Sequence, residues 1–238
     1  MNTSQIKNFA IQSRILLKAG VLNRILALGF DVDGNLTVDR PVRIQGGTIF
    51  MGQLREEEFY DAWITLEERI AKHSVKEVCE EAAYTWFNRL VAIRIMQKNG
   101  FIEPVMQYAN EETRIPVIVD QARSGRLSIR MTATEQEKLE ELLRDPTKTN
   151  EQFNLLISAF CKSNPVIFNC FGGIEKHIGL LLPDNILTQG GFIALLNNSL
   201  YLTDEDYKQS ELIGWLYQYY ISERKDEVFD GCKSGTKV

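Results

Sequence analysis

Residues 30–38, FDVDGNLTV, set two carboxylates two positions apart. At that spacing Asp31 could attack a phosphoryl group while Asp33 manages the proton, with both helping to hold magnesium. The competing reading is a polar turn, because Asp-Gly and Gly-Asn dipeptides favour turns on their own. A calcium loop can open the same way, but it needs Gly at its sixth position and Glu at its twelfth. Leu36 and Val42 stand there, which excludes it. Four cysteines (Cys79, Cys161, Cys170, Cys232) and two histidines (His73, His177) are scattered without a Cys-x-x-Cys pair, so no zinc cluster and no other metal site is read. Gly172-Gly173 and Gly190-Gly191 are too short to cradle a phosphate, and neither glycine-rich nucleotide pattern occurs.

The carboxylate string resembles the first motif of the haloacid-dehalogenase-like phosphatases, D-x-D-G-T. That resemblance implies Asp31 as nucleophile and Asp33 as acid/base in a magnesium-dependent hydrolysis. The departures are specific: Asn35 replaces the threonine, the preceding NRILALG continues a helical stripe, and no later Lys with an acidic pair follows. The chain also lacks the alternating β–α rhythm that fold needs. The turn is therefore the leading reading and the phosphatase the alternative. A second string, Asn164-Pro165-Val166-Ile167-Phe168, is similar to the Asn-Pro-Pro-Tyr or Asn-Pro-Pro-Phe tetrapeptide with which DNA adenine methyltransferases hold a flipped base. The second proline is absent, the aromatic comes one place late, and no glycine-rich AdoMet loop precedes it. It reads as a bend after a helix.

The elements that must position these residues are mostly helical. A first helix is expected from a cap at Thr3 or Ser4 to Gly29, with Ile6, Phe9, Ala10, Leu16, Leu17, Val21, Leu22, Ile25 and Leu26 approximating one stripe. A small β-hairpin is expected near residues 41–52, with Gly46-Gly47 at its turn and Pro41 at the start of its first strand. Helices follow over 55–72 and from Ser74 to Asn99-Gly100, the second opening on a Ser74/Glu77 capping box. Trp86, Phe87 and Leu90 are its core residues, with the charged heads of Arg89 and Arg94 snorkelling outwards beside Asn88. A short helix near 105–109, a helix capped by Thr132 and Glu135 and ending before Pro146, and an amphipathic helix over 151–161 come next. The last long helix should start near Thr203 or Asp204 and run through residues 211–228. There Leu212, Leu216 and Tyr220 form one apolar row, and Ile213, Tyr217 and Ile221 the adjacent one. Trp215 and Tyr219 extend the surface beyond what a two-layer bundle covers, which makes them candidate interface residues. The fold class expected is mostly α, a multi-helix bundle with one small hairpin, forming a single module over 1–238.

Composition narrows the function classes. Of 238 residues, 44% are hydrophobic and 25% charged, which is globular. The net charge of −5 argues against a free-standing DNA binder, since neutralising phosphates supplies most of that affinity. The start of the chain lacks a basic region followed by an apolar core, and no run reaches membrane-spanning length, so a cytoplasmic location is expected.

Three strings carry a resemblance: EAAYTWFNRLVAIRIMQKNGFIEP (81–104), LLLPDNIL (180–187) and ELIGWLYQYYISERKDEVFDG (211–231). Together with the opening helix they are similar to the amino-terminal region of the PglX-type DNA methyltransferases. Those are the large adenine-specific enzymes of BREX phage-defence systems, related to single-chain type II restriction-modification methylases. The resemblance implies a helix, not a catalytic strand, ending at Asp31. It implies that the AdoMet-binding Phe-x-Gly-x-Gly and the Asn-Pro-Pro-Tyr motif lie downstream of the 211–228 helix. No catalytic, cofactor-binding or metal residue is therefore assigned in this chain. S-adenosylmethionine and DNA are expected for the full-length family member. A downstream methyltransferase domain is the partner expected for this module, with other defence-system proteins as further candidates.

Overall fold

The computed structural model describes residues 2–198 and 200–233, with side chains of the last helix described as far as Ser222. Helix α1 (Thr3–Ala27) is capped by Asn2, one position before the residues expected. The Asn2 side chain accepts from the Ser4 and Gln5 backbone N–H groups at 3.1 and 3.3 Å. Gly29 ends the helix in the left-handed region at φ 90°, and a Cβ there would lie 2.2 Å from the Val38 side chain, so no other residue fits.

The expected hairpin is a three-stranded antiparallel sheet of β1 (Val42–Ile44), β2 (Gly47–Phe50) and β3 (Gln53–Arg55). The third strand escaped the sequence reading because Met51 and Gly52, both at positive φ, form a two-residue turn without the usual Asn-Gly signal. Arg55, expected in the next helix, belongs to β3. Thr48 and Phe50 point inwards, and the Phe50 ring lies 5.2 Å from Phe59 and 5.9 Å from Trp63.

Those two aromatics belong to α2 (Glu57–His73), which joins α3 (Val75–Lys98) through Ser74 alone. Ser74 closes one helix and opens the next, at φ 81°. Only half of its capping box forms. The Ser74 hydroxyl accepts from the Glu77 N–H at 3.3 Å, but the Ser74 N–H is already donated to the Ile70 carbonyl at 2.9 Å.

Beyond α3, the stretch expected as a short helix near 105–109 is a loop. Its backbone is committed to the 115–118 segment: Ala109 N–H donates to Ile115 and Val117 N–H to Gln107, both at 2.8 Å. Helix α4 (Val117–Arg123) follows. Helix α5 (Ala133–Leu143) has the full Thr132/Glu135 capping box, and α6 (Thr149–Ser163) leads into α7 (Pro165–Phe171), α8 (Lys176–Gly179) and α9 (Phe192–Asn198). The expected last helix is broken into α10 (Asp204–Tyr207) and α11 (Leu212–Lys233). The break has a local cause: the Asn99 side chain donates to the Tyr207 carbonyl at 2.8 Å, the acceptor a continuous helix would give to residue 211.

Helix α3 lies at the centre, against α1, α2, α7, α10 and α11. Trp86, Phe87 and Leu90 are buried in the one hydrophobic cluster that runs through the fold. Arg89 and Arg94 do not snorkel outwards; both are buried, because the end of α7 covers Arg89 and Tyr207 of α10 lies over Arg94. The architecture is mostly α with a small sheet, as the sequence predicts.

Two stability predictions arise from this core. Trp86 is fully buried and its Nε1 donates to the Ile178 carbonyl at 3.2 Å. Trp86→Ala should cost about 3–5 kcal/mol, read as a fall in the urea midpoint; an unchanged midpoint would contradict the packing. His177 on α8 is also fully buried, and neither ring nitrogen has a hydrogen-bond partner. Burial pushes its pKa down, against the opposing pull of Glu175 and Glu81. A histidine kept neutral in the fold but free to protonate when unfolded stabilises fully above its ordinary value of about 6.5, and that contribution is lost as pH falls below it. Stability should drop as the pH falls below about 6.5, and the slope should flatten in His177→Gln.

Candidate functional site

The two carboxylates singled out by spacing lie on a tight loop between α1 and β1. The Asp31 side chain accepts from the Asp33 and Asn35 backbone N–H groups at 3.0 and 2.8 Å, and the Asn35 amide reaches both of its oxygens. Those Asn35 bonds hold the Asp31 carboxyl below the usual carboxylate range. Gly34 sits at φ 88°, with Ile70 so close that an added Cβ would lie 2.8 Å from it. The Phe30–Leu36 bridge closes the loop. A phosphoryl nucleophile needs a lone pair aimed at its substrate. Asp31 spends its lone pairs holding a turn, and Asp33 is exposed at the tip. The geometry supports the turn and gives the phosphatase alternative no support. Among the described residues, no group of three or more His, Cys, Asp or Glu side chains could hold a metal.

The Asn164-Pro165 string has a structural role. The Asn164 side chain accepts from the Val166 and Ile167 N–H groups, both at 3.1 Å, capping α7 with Pro165 in its first turn. What reads as a bend is a helix-to-helix junction, with Phe168 exposed on α7.

The candidate interface residues lie on α11. Leu212, Leu216 and Tyr220 are buried, and the Tyr220 ring lies 4.6 Å from Phe87 and 5.3 Å from Tyr84 of α3. Trp215 and Tyr219 are half-buried, stacked on each other at 5.7 Å with 20° between their planes, and they touch the core along one side. On the adjacent row, Ile213 and Tyr217 are half-buried and Ile221 is exposed. Burial, with Tyr84 and Cys170 close by, pushes the Tyr217 hydroxyl pKa up to about 12. The helix thus buries one row completely and leaves aromatic surface on either side of it. Residues 223–228 of the predicted 211–228 segment lie outside the described side chains.

Several polar arrangements escaped the sequence reading. Glu80 of α3 takes a two-pronged pair from Arg14, at 2.8 and 2.9 Å, and a third contact from Lys18 at 2.8 Å. Arg89 donates to the carbonyls of Phe171, Gly172 and Gly173 at 2.9, 3.3 and 3.2 Å. The partners in each set are far apart in sequence, so nothing in local spacing announces them. An open cleft of about 850 Å³ is lined by Glu111, Arg114, Arg123, Asn150 and Thr188, among others. Arg123 is turned away from ligand work, donating to Gln152, Pro146 and Thr149. No nucleophile–base pair and no glycine-rich cradle meets in any of these places.

No family model matches the chain. Two curated proteins are similar to it along 96% of its length. One is the adenine-specific methyltransferase BrxX of Escherichia coli O9:H4 (strain HS), 29% identical. The other is the adenine-specific methyltransferase PglX of Lacticaseibacillus casei (strain Zhang), 28% identical. The chain spans about a fifth of the length of these relatives, 19% and 20%. The resemblance read from the 81–104, 180–187 and 211–231 strings therefore extends over nearly the whole chain, which is similar to one region of the PglX-type adenine-specific methyltransferases.

Proposed function

We propose that this chain is a non-catalytic helical module of a PglX-type adenine-specific DNA methyltransferase. In this reading it braces the catalytic portion of a longer enzyme in a BREX or restriction-modification system. The observation that carries the reading is the match to two adenine-specific methyltransferases over 96% of the chain but only a fifth of each relative. The absence of any assembled catalytic group among the described residues is compatible with it. Helix α11 is the contact surface this reading favours. Its Leu212, Leu216 and Tyr220 row anchors it to the module, and the Trp215–Tyr219 stack would dock on the methyltransferase portion. A stacked aromatic pair with one side on the core and the other exposed is well suited to such an interface, since aromatics contribute large contact area at low entropic cost.

S-adenosylmethionine and DNA would then belong to the whole enzyme. The 238 residues alone should neither bind AdoMet in calorimetry nor methylate adenine, while the complete coding product that contains them should do both. Micromolar AdoMet binding by the 238 residues would falsify the non-catalytic assignment, and a coding product without AdoMet-binding activity would refute the family function. Duplex DNA should bind the isolated module no better than about 10⁻⁴–10⁻⁶ M, the non-specific range at physiological salt. A sequence-specific shift at nanomolar protein would instead make this region a recognition element.

A further inference from the structure

The three-stranded sheet turns its apolar residues to the uncovered face, while Arg43, Thr48 and Arg55 share a cross-strand row on the face against α2, with Phe50 and Gln53 paired beside it. On the inner face Thr48 and Phe50 are buried against α2, and Arg43 reaches the same helix, its guanidinium 4.6 Å from the Tyr60 ring centre. The register places Val42, Ile49 and Leu54 directly across from one another, so with Ile44 they share the opposite face. These side chains meet water: Val42 is 60% exposed, Ile44 43% and Leu54 65%, with Met51 at the second turn 60% exposed. Ile49 is half-buried and does not join the core cluster.

A sheet with one solvated face ordinarily alternates, with its apolar residues towards the core and its polar ones towards water. These strands alternate in the opposite sense, which suits a sheet with a layer on each side. Here α2 supplies one layer and the described residues supply no second one. Leu54 also lies over Gly47, where an added Cβ would come within 2.7 Å of it. The outer face is therefore flat along that row and open to a neighbour.

We propose that this outer face docks on the remaining portion of the longer methyltransferase polypeptide, through an apolar helix or sheet face lying across Val42, Ile49 and Leu54. The proposal rests on the reading that the chain is a module of such an enzyme. Two features favour a tethered occupant over a separate protein or a second copy. The exposed aliphatic patch is built from four side chains, Val42, Ile44, Met51 and Leu54, whereas a free partner needs about 800 Å² on each side, roughly 20–30 residues, for a stable complex. Covalent connection raises the effective concentration to the order of millimolar, at which a smaller contact suffices. The relatives provide such a connection, because about four-fifths of their length lies outside the matched region. Beyond the patch Glu56 is paired with Lys138 within the chain, and Glu57 and Glu58 are exposed, so the occupant should present basic residues at that end.

Hydroxyl-radical footprinting reads side-chain exposure directly. Met51 and Leu54 should label several-fold more slowly in the complete coding product than in the 238 residues alone. The double variant Ile49→Glu/Leu54→Glu should restore fast labelling of Met51 in the complete product while leaving the melting temperature of the isolated chain unchanged. Equal labelling in the two forms of a product that does methylate adenine would overturn this proposal and leave the proposed function standing. A product with no methyltransferase portion would overturn both. If the isolated chain sediments as a dimer that the double variant dissociates, a second copy is the occupant and the tethered assignment is wrong.

Discussion

Helix α3 is covered by other helices over most of its circumference, with only a stripe through Glu77, Glu81, Tyr84 and Asn88 reaching solvent, and that constraint organises the rest of the molecule. Its sequence is not uniformly apolar: Glu80, Arg89, Arg94 and Gln97 are buried with the aromatics. A buried charge left unpaired costs several kcal/mol, so every helix that covers α3 must bring a partner or face that penalty. Helix α1 brings Arg14 and Lys18 to Glu80. The end of α7 brings three carbonyls to Arg89, and its Phe171 ring lies 5.7 Å from the guanidinium. Helix α10 brings the Tyr207 ring to 6.0 Å from the Arg94 guanidinium. Each polar contact fixes one neighbour's position along α3, which apolar packing alone would specify less sharply. Burial also lowers the Arg89 pKa from its ordinary value, the signature of a cation held without a carboxylate partner.

The same demand explains which surfaces remain apolar. Helix α1 packs against α3, and α11 sets its buried row against α1 and α3, which leaves surplus hydrophobic surface at the periphery. On α11 it is carried by the Trp215–Tyr219 stack, and on the sheet by the row from Val42 to Leu54. Neither is scattered single-residue exposure of the kind any surface shows. Both are ordered: one a stacked ring pair at helical spacing, the other a cross-strand row in register. A chain that had to pack only against itself would have little reason to keep either.

Local signals were legible in the sequence and long-range ones were not. The 3.6-residue stripes of α1, α2 and α3, the Thr132/Glu135 box of α5 and the Gly29 stop are written in contiguous residues, and the structure has them, although Leu26 at the end of the α1 stripe is exposed. Failures arose where a distant group took a backbone partner. Asn99 intercepts the Tyr207 carbonyl and divides the last helix; residues 115–118 claim the backbone of the expected 105–109 helix. Arg89 and Arg94 were read as outward-facing because their neighbours α7 and α10 come from elsewhere in the chain. At the candidate site, the Asp31–Asp33 spacing alone could not separate a nucleophile from a turn. What separates them is the occupancy of the Asp31 lone pairs by Asp33 and Asn35.

The strings that carry the family resemblance are contiguous in sequence but meet in space around α3. Residues 81–104 are most of that helix and its exit. The 180–187 segment lies beside α1, with the Leu180 carbonyl accepting from Arg24 Nε at 2.9 Å and Asp184 pairing with the same guanidinium at 2.9 Å. Residues 211–231 are α11, whose buried row closes over Phe87 and Tyr84. The resemblance therefore follows a packing unit and not a reactive centre. Under the proposed function, such a region would work by presenting surfaces at fixed angles. Its contribution to a methyltransferase would be geometric: the rigid spacing between the α11 aromatics and the outer sheet face, set by the buried charges of α3.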